Sequence, residues 1–219
     1  MVKNSNFTLL VKKKSGFLTS VYMTLIIELF VTFFIVYQFR NHPTLSKFTK
    51  QSFWIYLFVS LGLILILTLI PMPIWMKLIV FTIFAGVTGG MLYNASYMVS
   101  IELINQALIG TIGIFIGMTI LAVGLAAIGI DLSFMGLILL GALIGLLVAS
   151  LVVRLMSNEK TSKAHKILLI IGLILFSIYI TYSTNIMLQK DYNQDFVSAA
   201  IDLYLNFVNV FGRMLALEE

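Results

Sequence analysis

Seven apolar runs of span length, parted by short polar stretches, set the pattern of this chain. They cover about 18–39, 53–70, 74–97, 107–128, 132–153, 167–188 and 196–215. Each is close to the roughly twenty residues that an α-helix needs to cross a bilayer. The interruptions are a polar loop from Arg40 to Ser52 with a break at Pro43, then the turn Pro71-Met72-Pro73, then a polar link over 98–106 with Glu102 and Asn105. The turn Gly129-Ile130-Asp131, a basic loop from Arg154 to Lys166 and a loop over 189–195 complete the set. Trp54 and Trp75 lie near the two ends of the second run, where interfacial aromatics are expected. The pattern predicts an all-α integral membrane protein: a basic flank over 1–17, then one membrane domain over 18–215 built as a seven-transmembrane-helix bundle.

The last run differs from the others. Ser198, Asp202, Asn206, Asn209 and Arg213 follow the i, i+4, i+7, i+11 spacing of one helix face, and the rest of the segment is apolar or aromatic. A charge facing hydrocarbon costs on the order of 3 kcal/mol by insertion scales. This helix is therefore expected to be central, its wet stripe turned to protein or to a water-filled cavity.

Composition agrees. Of 219 residues, 60% are hydrophobic and 11% charged, against about 25% charged in a soluble domain, and the mean hydropathy is +1.06. The chain has no cysteine, which excludes disulfides and thiolate metal sites. Its net charge of +5 resides in flanks and loops, a pattern of headgroup contact and not of the continuous basic face that nucleic acid requires. The residues before the first run do not read as a cleavable signal peptide. Lysines and arginines divide almost evenly between the two sides, so the orientation stays open.

An ionisable group within a span is a functional hypothesis by default. Asp202 is the leading candidate, a carboxylate that could bind a proton or a cation, with the amide oxygen of Asn206 one turn away. The alternative is that Asp202, about six residues into its helix, lies near the membrane surface. Glu28 lies deeper and is either a gating carboxylate or the partner of a cation, Arg213 and Lys77 being the cations nearest a span end. Arg213 is expected to snorkel to the interface. The polar second half of the sixth span, Ser177 to Asn185, reads as interhelical hydrogen bonding or as a ligand site. Gly113 with Gly117, and Gly141 with Gly145, form GxxxG pairs that allow helix backbones to approach closely.

Enzyme chemistries are set aside. No span has a central lysine for retinal, neither His42 nor His165 lies in a span, and no HExxH occurs. No metal site or cofactor is expected. No internal repeat supports an inverted-repeat transporter, so a small-solute secondary transporter ranks third among the readings.

The sixth and seventh spans resemble the Bax inhibitor-1 (lifeguard, TMBIM) family. The carrying residues are Phe176-Ser177-Ile178-Tyr179 with Tyr182 and Asn185, and the run Leu203-Tyr204-Leu205-Asn206-Phe207-Val208-Asn209-Val210-Phe211, similar to the family's C-terminal LYLDxxNLF. Asp131-Leu132-Ser133-Phe134 is also family-like. The resemblance implies a bundle whose last helix is central, a pH-sensitive calcium leak and, in eukaryotes and their viruses, suppression of cell death. It implies a cell membrane in bacteria and an ER or Golgi-type membrane otherwise. In that family two aspartates share a proton and gate the pore. Here the positions are Asn206 and Ser183, neither of which titrates near neutral pH, so either Asp202 takes over part of the role or the pore is ungated or closed. Asp202, Asn206, Ser183, Asn209 and Glu28 are the expected ion-pathway residues. Calcium or another cation is the expected cargo, and membrane-protein partners without conduction are the competing expectation.

Overall fold

A computed structural model describes residues 2–42, 53–156, 159–190, 192 and 194–218. The Pro43 break, most of the loop around it and Ser157-Asn158 lie outside the described residues, as does the Trp54 side chain. The described residues form seven helices: α1 (Val2–Asn41), α2 (Phe53–Leu69), α3 (Ile74–Ser96), α4 (Ile101–Ala127), α5 (Met135–Met156), α6 (Glu159–Gln189) and α7 (Phe196–Glu218). Six are long and apolar enough to cross a membrane, α2 being the shorter exception over Ile55–Leu69. This is an all-α, multi-pass integral membrane protein.

Local chemistry sets the helix ends. Pro71 and Pro73 cannot continue α2, and α3 starts on the Pro73 carbonyl, which accepts from Met76 and Lys77 N–H at 3.0 Å each. Ser100 caps α4, its hydroxyl accepting from Leu103 N–H. At the other end Gly129 takes a φ of 86°. The Gly129 and Ile130 N–H groups then reach the Ala126 and Leu125 carbonyls, a Schellman ending. Asp131 receives the Ser133 N–H and hydroxyl, and these bonds hold its exposed carboxyl below the usual aspartate range.

Two boundaries differ from expectation. The basic flank is already helical from Val2; no proline lies between there and the first span. The basic segment 154–166 is helical on both sides of 157–158; it contains neither proline nor glycine, and Lys, Glu and Ala favour helix.

The chain forms two compact units. The first comprises Ser15–Val99 and Tyr192–Tyr204, the second Met1–Lys14, Ser100–Asp191 and Leu205–Glu219. In the first, α2 packs on α3, and α3 meets α1 at Gly89, where an added Cβ would lie 2.6 Å from the Thr32 carbonyl oxygen. In the second, α6 packs on both α4 and α5.

The expected role of the GxxxG pairs needs correction. A Cβ added at Gly113, Gly117, Gly141 or Gly145 would meet nothing within 4 Å. Among the described residues these glycines mark no close helix contact, and the close approaches fall elsewhere, at Gly89, Gly90, Gly110, Gly136 and Gly172.

Candidate ion-pathway residues

In the first unit, α7 begins on Asp195, whose Oδ1 accepts the Ser198 N–H at 3.0 Å. Its Oδ2 takes the Ser198 hydroxyl at 2.8 Å and the Lys77 ammonium of α3 at 2.6 Å. Burial disfavours the Asp195 charge, but the bonds from Lys77 and Ser198 outweigh it and hold the carboxyl below the usual range. The top of the polar stripe is thus tied to α3 by an ion pair.

Asp202 follows one turn later and stands exposed, between buried Ile201 and Leu203. Among the described residues it has no ion pair. Enclosure was one expectation for Asp202 and a place near the membrane surface the other; here the side chain is exposed on its unit.

Tyr204 is fully buried. Its ring sits edge-on to Phe81 and Phe84, at centroid distances of 5.2 and 5.8 Å, and its hydroxyl bonds to Thr32 of α1. Thr32 also donates within its own helix to the Glu28 carbonyl. Glu28 is 2% exposed; its Oε1 lies 2.8 Å from Thr82 of α3, and its Oε2 has no hydrogen-bond partner. Of the two readings of Glu28, the one with a cation partner finds none among the described residues. Lys77 is committed to Asp195, and among the described residues no ion pair reaches Glu28.

In the second unit Asn206 is buried, and its Nδ2 donates to Ser183 Oγ of α6 at 3.2 Å. The two positions where the resemblance implies aspartates are therefore in direct contact, as a neutral pair. Asn209, half-buried, donates to the Leu205 carbonyl of its own helix.

Arg213 lies along α6 and points toward the start of the sixth span. Its guanidinium lies over Gly172 of α6, 5.2 Å from the Phe176 ring centroid, with one long bond to the Leu168 carbonyl. Of the polar half of α6, Thr181 donates to the Met118 carbonyl of α4. Asn185, 0% exposed, takes the Leu132 N–H and gives to the Ile130 carbonyl, both at 3.0 Å. These side chains bond helix to helix and helix to turn.

Sequence reasoning passed over Asp195 and the α1 threonines, and gave Tyr204 no role beyond the family motif. A signal existed for the threonines: Thr24, Glu28 and Thr32 recur every four residues on one face of α1, and all three are buried. Among the described residues no group of three metal-ligating side chains occurs.

Residues 14–217 match the family model described as inhibitor of apoptosis-promoting Bax1. The chain is 26% identical to Bax inhibitor 1 of Schizosaccharomyces pombe over 205 residues, 92% of this chain and 75% of that protein. It is 27% identical to LIFEGUARD 2 of Arabidopsis thaliana over 214 residues, 92% of this chain and 86% of the relative. LIFEGUARD 1 of the same plant is 33% identical over 116 residues, 53% and 48% of the two chains.

Proposed function

The chain belongs to the Bax inhibitor-1 family, and on that premise we propose that it is a non-enzymatic cation leak protein with calcium as the cargo. In a eukaryotic or viral setting it would suppress cell death. The observation that carries the leak reading is Asp202, an exposed carboxylate on the polar stripe of a spanning helix. A carboxylate so placed can attract a hydrated cation without holding it in a closed cage, which suits passage better than storage. The Asn206–Ser183 pair offers neutral oxygen and amide groups where a charged pair would bind or repel. Conduction then does not wait on a shared proton.

The test is calcium flux in proteoliposomes, wild type against Asp202→Asn. Flux that falls several-fold in the variant supports the reading; absence of flux from both proteins ends it.

One observation favours a second reading, a non-conducting protein that acts through membrane partners. Gly113 and Gly117 on α4, and Gly141 and Gly145 on α5, stand open, and a small-residue face lets another helix approach closely. Partners lost when these glycines become leucine, with no flux at any stage, would favour it.

A further inference from the structure

Glu28 is the buried ionisable group that the stripe on α7 leaves unexplained. Among the described residues, the charged groups of its unit are otherwise placed. Lys77 and Asp195 bond each other, Arg40 donates to the Ser96 and Val99 carbonyls, and Asp202 is exposed. The Tyr204 hydroxyl, which reaches α1 from α7, is bonded to Thr32.

The hydrogens around Glu28 can be counted. The Thr82 hydroxyl has one hydrogen and two acceptors in reach, the Leu78 carbonyl at 3.1 Å and Glu28 Oε1 at 2.8 Å. With Glu28 ionised, that hydrogen goes to Oε1, and the Leu78 carbonyl keeps the backbone bond of its helix. Oε2 would then carry charge in an enclosed place with no donor, the costliest arrangement for a carboxylate. One added proton removes that charge and leaves Oε2 a neutral carbonyl oxygen. The Glu28 O–H donates to Thr82 Oγ, and the Thr82 hydrogen goes to Leu78. A calcium ion does not fit, since it takes six to eight oxygens and one carboxylate oxygen is free here.

We propose that Glu28 is an intramembrane proton-binding site, its carboxyl neutral in the folded protein and bonded to Thr82 in a chain that ends on the Leu78 carbonyl. Thr82 is exposed on α3, so one hydroxyl separates the site from the surface of its unit, and the proton exchanges by that route. Loss of the proton leaves a charge between α1 and α3 that only entering water can meet.

Infrared spectroscopy of the full chain in lipid, in H2O and in D2O, tests this. At neutral pH the expected result is a protonated-carboxyl C=O stretch that shifts in D2O, shifts again when glutamate carboxyls carry 13C, and is absent from Glu28→Gln. A wild-type spectrum without a label-sensitive band of this kind overturns the proposal, and so does a band unchanged in Glu28→Gln. The isotope arm uses the wild-type chain, so it decides the matter even where the variant does not fold. Ion flux enters neither arm, and the outcome is independent of the leak reading.

Discussion

Asn206 donates from its amide to the Ser183 hydroxyl across 3.2 Å, a neutral contact between α7 and α6 in which neither partner can take up or lose a proton near pH 7. Flux from pH 6 to 8 is therefore expected to change by less than about two-fold, since a side chain titrating in that window would change its ionisation about ten-fold per pH unit. In the double variant Ser183→Asp with Asn206→Asp, two carboxylates at this distance share one proton. A steep pH response of about ten-fold should appear. Flux against pH in proteoliposomes checks both halves, and a steep wild-type response would place gating in another group.

The ion pair of Lys77 with Asp195 fixes the start of α7 on α3. Asp195 is about a third exposed, so solvent screening reduces its worth, and Asp195→Asn is expected to cost about 1 kcal/mol. The folded-state carboxyl titrates below its ordinary value. Its contribution is thus fully present above about pH 4 and is lost as pH falls further through the folded value. Thermal unfolding in detergent at neutral and acid pH, wild type against variant, should show the difference between them shrink in acid.

Asn185 joins α6 to the turn between α4 and α5 through both ends of its amide. Asn185→Leu keeps the volume and removes the bonds. It strands the buried Leu132 N–H, while Gln189 still reaches the Ile130 carbonyl. A loss of about 2 kcal/mol is expected, read as a fall in the unfolding midpoint. An unchanged midpoint would mean that the turn finds other partners.

Glycine positions divide sharply. In Gly89→Ala the new methyl meets the backbone oxygen of Thr32 at 2.6 Å and Ile35 Cβ at 2.9 Å, neither of which can swing aside, so a cost of about 1–3 kcal/mol is expected. In Gly113→Ala and Gly141→Ala the methyl meets nothing within 4 Å, and stability should stay within about 0.5 kcal/mol of wild type. Equal effects at the two kinds of site would refute this contrast.

The helices were legible because span-length apolar runs have few other uses, and Pro71 and Pro73 announce their own turn. The contact of Asn206 with Ser183 could be anticipated only from likeness to the family, since spacing within one helix says nothing about which neighbour it faces. The buried threonines were harder. Thr32 and Thr88 each satisfy a hydroxyl on a carbonyl one turn back, so they pass for apolar positions in a greasy helix. What they join lies far away in the chain; Tyr204 is 172 residues from Thr32. The GxxxG pairs misled for a related reason: a small-residue face permits close packing but does not name the partner. Enclosure was one expectation for Asp202 because its neighbours are apolar, and those neighbours are buried while it is not.

The pairing of Lys77 with Asp195 also bears on how the chain is made. Asp195 follows Lys77 by 118 residues, so at about 5–20 residues per second α3 enters the membrane about 6–24 s before its counter-ion has been synthesised. Over that interval the ammonium must stay hydrated at the bilayer edge or lean on the insertion machinery. Nascent chains halted before the last helix should therefore hold α3 less firmly in the bilayer than completed ones do.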